Sequence, residues 1–168
     1  MRNSSVKAIT LGGMLSAVTV IIMCLGGYVP LATFICPMLA ILAGHIVLKT
    51  CGSKIAWCWY WVVSLLVILF APDKEAVAVF VFLGYYPIVK PWFEKFRFGW
   101  LGKILLFNCA IGLMYFLLLH LLGMAELASE YAELGLIGCM ILLILGNVTF
   151  FLLDRVLTIF HKSGGRQK

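Results

Sequence analysis

Three charged residues stand directly before a long apolar run in the middle of the chain. Asp73, Lys74 and Glu75 follow Pro72, and the residues after them are almost all apolar. Two carboxylates and an ammonium group at the edge of a membrane can pair with a ligand that carries an ammonium, a carboxylate or both. The same residues can instead cap a helix, because acids are stabilised near a helix N-terminus by its dipole. The sequence leaves both interpretations open.

Four further polar residues lie within apolar runs or at their ends. Tyr86 follows Glu75 by eleven residues, about three helical turns, so the two share a helix face. Asn108 and Asn147 are amides at membrane depth, where a hydrogen bond between helices is the simpler role and ligand contact the alternative. His120 is placed for a site that opens outward, or for an interfacial position. The candidate ligand-binding set is Asp73, Lys74, Glu75, Tyr86, Asn108, His120 and Asn147.

The composition identifies the environment that these residues require. Of 168 residues, 64% are hydrophobic and only 12% are charged, and the mean hydropathy is +1.10. Soluble domains have about 45–50% apolar and about 25% charged residues. The chain is therefore predicted to be an integral membrane protein. Its formal net charge of +6 is spread over short connections, so nucleic acid is not an expected partner.

Motifs for catalysis, metals or cofactors are missing from the sequence. There is no G-x-S-x-G, no H-E-x-x-H and no Walker loop, and no C-x-x-C occurs among the six cysteines. We therefore expect no enzymatic activity, no metal centre and no cofactor.

Apolar runs of about the length of a spanning helix occur six times. They predict an all-α polytopic membrane protein, a bundle of six transmembrane helices in a single membrane domain over 1–168. The fourth run reaches only about 22 Å at 1.5 Å per residue, so its helix is expected to begin near Pro72 or to be accommodated by thinning of the bilayer. Gly84 and Pro87 predict a kink in it. The polar tail, 161–168, is expected to be disordered. The predicted helices cover about 7–25, 31–48, 55–71, 75–89, 100–123 and 134–153.

The distribution of charge predicts the orientation of these helices. With both the N-terminus and the C-terminus in the cytoplasm, twelve of the thirteen basic residues lie inside and only Lys74 lies outside. The acidic residues show the opposite bias, with Glu94 and Asp154 inside and five outside. All five tryptophans then fall near the inner face, as an aromatic belt. The five outer acids are Asp73, Glu75, Glu126, Glu130 and Glu133.

Small residues recur at four-residue spacing in the first helix. Ala8, Gly12 and Ser16 lie on one face, which allows another helix to approach closely. That helix can belong to the same bundle or to another membrane subunit.

These features together resemble the substrate-binding S components of energy-coupling factor (ECF) transporters. The resemblance rests on six helices with both ends inside, a length under 200 residues, the small-residue stripe of the first helix, and the segment from Pro72-Asp73-Lys74-Glu75 to Gly84-Tyr85-Tyr86-Pro87. It implies a subunit of the bacterial plasma membrane that binds a vitamin-like micronutrient from outside. It also implies docking, through the stripe Ala8, Gly12 and Ser16, on a coupling membrane subunit driven by two cytoplasmic ATPases. The family's stripe is alanine-rich, whereas two of the three positions here are Gly12 and Ser16.

A second class of function fits the same residues. A membrane protein that transports nothing, such as an assembly factor, can use acidic outer loops or a basic inner face to bind a partner. Recovery of an ATPase pair or of a small-molecule ligand distinguishes the two classes.

Overall fold

The computed structural model describes residues 2–28, 32–95, 99–120 and 125–163, and these residues form helices and short turns without a strand. Six helical segments are long and apolar enough to cross a membrane. The prediction of an all-α fold with six spans is confirmed, and the placement of both termini in the cytoplasm stays a prediction. The helices are α1 (Arg2–Gly26), α2 (Ala32–Cys51), α3 (Ser53–Phe70), α4 (Lys74–Leu83), α5 (Tyr86–Phe93), α6 (Gly99–His120) and α7 (Ala125–Ser163).

The first and last helices extend beyond their apolar segments. α1 begins at Arg2, where the prediction began at residue 7, and α7 covers 39 residues. Gly135 interrupts α7 with a φ of 64°, so the apolar span Met140–Ile159 is preceded by a separate helical stretch. Residues 161–163 of the expected disordered tail are helical, and residues 164–168 lie outside the described part of the chain.

The helices group into two compact units, and the single membrane domain over 1–168 stays a prediction. Unit 1 is Met1–Arg97 and contains α1 to α5, and unit 2 is Phe98–Lys168 and contains α6 and α7. We describe each unit by itself.

In unit 1, α2 packs against α1, α3, α4 and α5. Its close approach to α3 depends on Gly44, since a Cβ atom at this position would lie 2.9 Å from Cζ3 of Trp59. Gly52, whose φ of 86° suits a residue without a side chain, forms the turn from α2 to α3. The buried apolar core of this unit includes Met23, Ile41, Val47, Val63, Val67 and Phe80.

The fourth crossing of the membrane consists of two short helices. α4 and α5 together form the candidate span Lys74–Phe93, whose 20 residues, at about 30 Å, are long enough to cross a bilayer. The interruption falls at Gly84 and Tyr85, as the predicted kink required. Pro87 lies in the first turn of α5. Backbone N–H groups in the first turn have no acceptor within the helix, so the missing N–H of proline costs no hydrogen bond there.

In unit 2, α6 packs on α7 through stacked aromatic rings. The rings of Phe107 and Phe150 are 4.7 Å apart between centroids, with an interplanar angle of 23°. Gly146 leaves room for this contact, because a Cβ atom there would lie 3.3 Å from the Phe107 ring. Other buried side chains of α6 and α7 are Met114, Leu118, Leu153 and Leu157.

Candidate functional site

The charged residues at the turn from α3 to α4 bind helix ends. Oδ1 of Asp73 accepts a hydrogen bond of 3.0 Å from the backbone N–H of Ala76, which makes Asp73 the N-cap of α4. Nζ of Lys74 donates to the carbonyls of Ala71 at 3.0 Å and Ile68 at 3.3 Å, where α3 ends. The capping interpretation therefore holds for Asp73. Ligand binding by Asp73, Lys74 and Glu75 stays a prediction.

The break between α4 and α5 is surrounded by aromatic rings. The hydroxyl of Tyr60 on α3 donates to the carbonyl of Val81, one of the last four carbonyls of α4, which an ordinary helix end leaves without partners. The Tyr60 ring lies edge-on to Tyr85, with centroids 6.1 Å apart. A Cβ atom on Gly84 would come within 3.1 Å of both the Tyr60 ring and the Phe80 ring. Because Gly84 has no side chain, the Tyr60 and Phe80 rings can pack closely around the break.

A polar side chain of α3, that of Trp59, is buried beside this cluster without a hydrogen-bond partner among the described residues. The indole N–H of Trp59 has no acceptor among the described residues, although the side chain is only 5% exposed. The ring packs across Gly44 and lies edge-on to Phe80, with centroids 6.4 Å apart. The hydroxyl of Ser64 lies near that of Tyr60 without a well-formed hydrogen bond. The Trp59 N–H is therefore a buried donor without an acceptor in the described part of the chain.

Sequence analysis missed Trp59 because it assigned all five tryptophans to the interfacial belt. Trp57 and Trp61 are 36% and 66% exposed, and Trp92 and Trp100 are exposed as well, which is compatible with a belt. For Trp59 the assignment is wrong, since that ring is inside unit 1. The signal was available: residues two positions apart on a helix point about 200° apart, so Trp59 cannot share the face of Trp57 and Trp61.

Three further buried polar residues lie on α2 and α5, which pack together in unit 1. His45 on α2 and Tyr86 and Lys90 on α5 are each at most 5% exposed. Nζ of Lys90 lies 3.8 Å from Oε1 of Glu94, one helical turn further on. The structure thus places Tyr86 inside unit 1, while Glu75 begins the same crossing about 16 Å away along the helix. These two candidate residues do not come together at one point.

The two asparagines of the candidate set bind each other in unit 2. Nδ2 of Asn108 donates to Oδ1 of Asn147 at 3.0 Å, and Nδ2 of Asn147 donates to Oδ1 of Asn108 at 3.2 Å. The second hydrogen of each amide goes to a carbonyl of its own helix, at Ile104 and Leu143. All four N–H donors are therefore used, and the interhelical role suggested by the sequence is the one observed.

An ion pair lies nearby on the same two helices, and sequence analysis did not find it. Nζ of Lys103 is 3.0 Å from Oδ2 and 3.2 Å from Oδ1 of Asp154, and both side chains are 15% exposed. The sequence placed both residues at the inner face but gave no register between α6 and α7. Without that register, two residues 51 positions apart cannot be paired.

Of the candidate ligand-binding residues, unit 2 also contains His120. His120 is exposed at the end of α6, and its ring lies 4.8 Å from that of Phe116 between centroids. Among the described residues, no three His, Cys, Asp or Glu side chains come together as metal ligands.

The small-residue stripe of α1 is only partly covered by unit 1. Ala8 and Ser16 are half-buried, and a Cβ atom on Gly12 would have no neighbour within 4 Å. The hydroxyl of Ser16 donates to the Gly12 carbonyl at 2.9 Å, and the carbonyl of Ala8 accepts a hydrogen bond of 3.3 Å from Sγ of Cys51 at the end of α2. Docking of a partner through the stripe stays a prediction.

The acidic connection before the last span has a helical backbone. Glu126, Glu130 and Glu133 belong to the first part of α7, and their side chains lie outside what the structure describes.

No protein-family model, curated protein or solved structure matches this chain. The function is therefore inferred from the residues of this chain.

Proposed function

We propose that this chain is the membrane-embedded substrate-binding subunit of an ECF-type importer. It captures a small micronutrient, such as a vitamin, from the outside of the bacterial plasma membrane and has both termini in the cytoplasm. It takes its energy from a coupling membrane subunit and two cytoplasmic ATPases. Its function is binding rather than catalysis.

The observation that supports ligand binding is the buried Trp59 N–H without an acceptor. Such a donor costs about 1–3 kcal/mol when water is removed from it and no acceptor replaces the water. A ligand with a carbonyl, ring nitrogen or carboxylate oxygen supplies that acceptor. Polar groups inside membrane bundles mark ligand pathways when they are not used for packing.

The broken fourth crossing provides a way for the ligand to enter. The Trp59 indole is only 5% exposed, so a ligand reaches it only when neighbouring side chains or helices move apart. Gly84 and Tyr85 interrupt the helix beside the Tyr60 ring and offer a hinge for that movement. Interrupted helices at mid-membrane depth are a recurrent feature of transporter binding sites.

Energy has to come from partner proteins, since the sequence contains no nucleotide-binding loop. The contact surface proposed for a coupling subunit is the exposed face of α1. On this face Gly13 and Ala17 are exposed at four-residue spacing, beside the stripe Ala8, Gly12 and Ser16. Small residues at this spacing allow the close helix contact that membrane subunits use.

Purification with an affinity tag from the native membrane tests the partners. We expect a long coupling subunit and two ATPases to copurify with the chain. A stable complex with other proteins, and no ATPase, would favour the assembly-factor alternative.

Mass spectrometry of small molecules released from the purified protein tests the ligand and identifies it. Replacement of Trp59 by benzothienylalanine, which has sulfur in place of the indole N–H, should reduce the amount of copurified ligand at least tenfold. The same replacement at the exposed Trp61 is the matched control and should leave the amount unchanged. An unaltered ligand content in the Trp59 variant would place the ligand elsewhere.

A further inference from the structure

Tyr60 contacts both sides of the break in the fourth crossing. Its side chain is only 6% exposed, and α3, which carries it, packs against both α4 and α5. The Tyr60 ring lies 6.2 Å from the Phe80 ring of α4 and 6.1 Å from the ring of Tyr85, the residue that precedes α5, between centroids. Its hydroxyl donates to the carbonyl of Val81. A single residue of α3 therefore holds the end of α4 and the beginning of α5.

The hydrogen bond from Tyr60 to Val81 connects two helices inside an apolar bundle. Val81 lies in the last turn of α4, whose carbonyls lack the N–H groups of a following turn. Within a membrane, a carbonyl that loses its partner finds little water to replace it, so such a bond resists separation of the helices. We call this hydrogen bond the latch.

The latch lies next to the indole that we propose as the ligand contact. Trp59 precedes Tyr60 on α3, and its ring meets Phe80 of α4 with centroids 6.4 Å apart. Phe80 and Val81 are consecutive residues of one helix. A movement of α4 that takes Phe80 away from the Trp59 indole therefore also pulls the Val81 carbonyl away from the Tyr60 hydroxyl.

We propose that the Tyr60 hydroxyl regulates access to the Trp59 indole. With the latch closed, α4 stays packed against the indole, and with the latch broken, the helix can swing at Gly84 and Tyr85 and admit a ligand. This inference rests on the proposed binding of a ligand at Trp59 and adds the contact that controls entry. Tyr60 is a positioning residue here, since it acts on the ligand through α4.

Tyr60→Phe removes the latch and keeps the ring. The contacts of the ring with Phe80 and Tyr85 remain, so the fold should persist. Loss of one hydrogen bond of this kind should shift the equilibrium between the closed and open forms about two- to twelvefold toward the open form.

Exchange of the Trp59 indole N–H with deuterated water measures this equilibrium. The full chain, labelled with ¹⁵N-tryptophan and placed in nanodiscs, is followed by NMR, and the Trp59 signal is assigned by its loss in a Trp59→Phe sample. A buried N–H exchanges only when its surroundings open to water. We expect Tyr60→Phe to raise the exchange rate of the Trp59 N–H about two- to twelvefold. An unchanged rate would overturn the proposal.

The native protein provides a second test, because opening of α4 is local. The Trp59 N–H should be less protected from exchange than the best-protected backbone amides of α2, which exchange only when unit 1 unfolds. Equal protection would mean that the indole meets water only on unfolding, and this would refute a latch. No ligand is needed for either measurement. Their failure therefore differs from failure of the proposed function, which the ligand content of the Trp59 variant decides.

Two matched variants identify the bond that is responsible. Ser64→Ala removes the other hydroxyl near that of Tyr60 and leaves the latch in place, so the exchange rate of the Trp59 N–H should stay native. Tyr85→Phe removes a hydroxyl from the ring on the other side of the break and should also leave the rate unchanged. A rise in either variant as large as that in Tyr60→Phe would show that the bond to Val81 is not the controlling contact.

Discussion

The polar pairs of unit 2 and the indole N–H of Trp59 in unit 1 differ in their hydrogen bonding. In unit 2, Asn108 bonds Asn147 and Lys103 bonds Asp154, so these polar groups of α6 find partners on α7. In unit 1, the N–H of Trp59 is buried among packed rings with no acceptor in the described part of the chain. The difference shows that a polar residue at membrane depth is informative only together with its hydrogen bonds. Paired groups hold helices together, and an unpaired donor points to a missing partner.

The ion pair of unit 2 should give the largest effect of any substitution in this comparison. Lys103→Met removes the ammonium group that pairs with the partly buried carboxylate of Asp154, and the loss should lie between the about 1 kcal/mol of an exposed pair and the about 3–5 kcal/mol of a fully buried pair. Replacing both residues, as in Lys103→Met/Asp154→Leu, should restore most of the lost stability because neither charge remains. Reversible unfolding in mixed micelles, followed by circular dichroism, measures both variants. A double variant as unstable as the single one would show that the charges stabilise the unit in another way.

The second-largest effect on stability is expected at the N-cap of α4. Asp73→Ala removes the acceptor for the Ala76 N–H and should lower the free energy of unfolding by about 1 kcal/mol. Asp73→Asn keeps a side-chain oxygen at the cap and serves as the matched control, with little loss of stability. Ligand content measured on the same two proteins tests the other predicted role of Asp73. Loss of ligand in the stable Asn variant would show that the carboxylate charge itself binds the ligand.

The asparagine pair should contribute less to stability than the ion pair or the N-cap. A double-mutant cycle with Asn108→Ala and Asn147→Ala should give a coupling energy of about 0.6 kcal/mol, the average for hydrogen bonds between membrane helices. Unfolding of the four proteins in the same micelles provides the numbers. Ligand content should not change, because all the donors of the pair are already used.

The smallest effect on stability is expected at Trp59. Unlike the substitutions at the paired groups, this one should not lower the free energy of unfolding. Benzothienylalanine at this position removes an N–H that bonds to nothing, so the free energy of unfolding should stay within about 0.5 kcal/mol of the native value or rise. This contrasts with the loss expected at each paired group. A fall of more than about 1 kcal/mol would show that the N–H has a partner, such as the face of the Phe80 ring.

The number and order of the spans could be predicted from the sequence because hydropathy reports where the chain meets lipid. It does not report where helices end. α7 begins at Ala125, well before the predicted 134, because polar residues next to a span can continue the helix in water. The fourth span was predicted too short for a related reason. Lys90 and Glu94 interrupt the apolar run, although the helix continues to Phe93.

The contacts of the candidate site could be predicted only where they are local. The cap at Asp73 involves Ala76, and the kink at Gly84 involves Pro87. In each case the two residues are only three positions apart in the sequence. The pair of Lys103 and Asp154 needs the register of two helices, which a single sequence does not contain. The environment of Trp59 depends on Gly44, a residue of another helix that carries no chemical signal of its own.

The reciprocal amide pair also limits how this sequence can evolve. The side-chain amides of Asn108 and Asn147 hydrogen-bond to each other. A change to an apolar residue at one position therefore leaves the amide at the other position without this interhelical partner. A second change at the partner position removes that penalty. Homologous proteins should therefore have either both asparagines or neither, and the two positions should covary although 39 residues separate them.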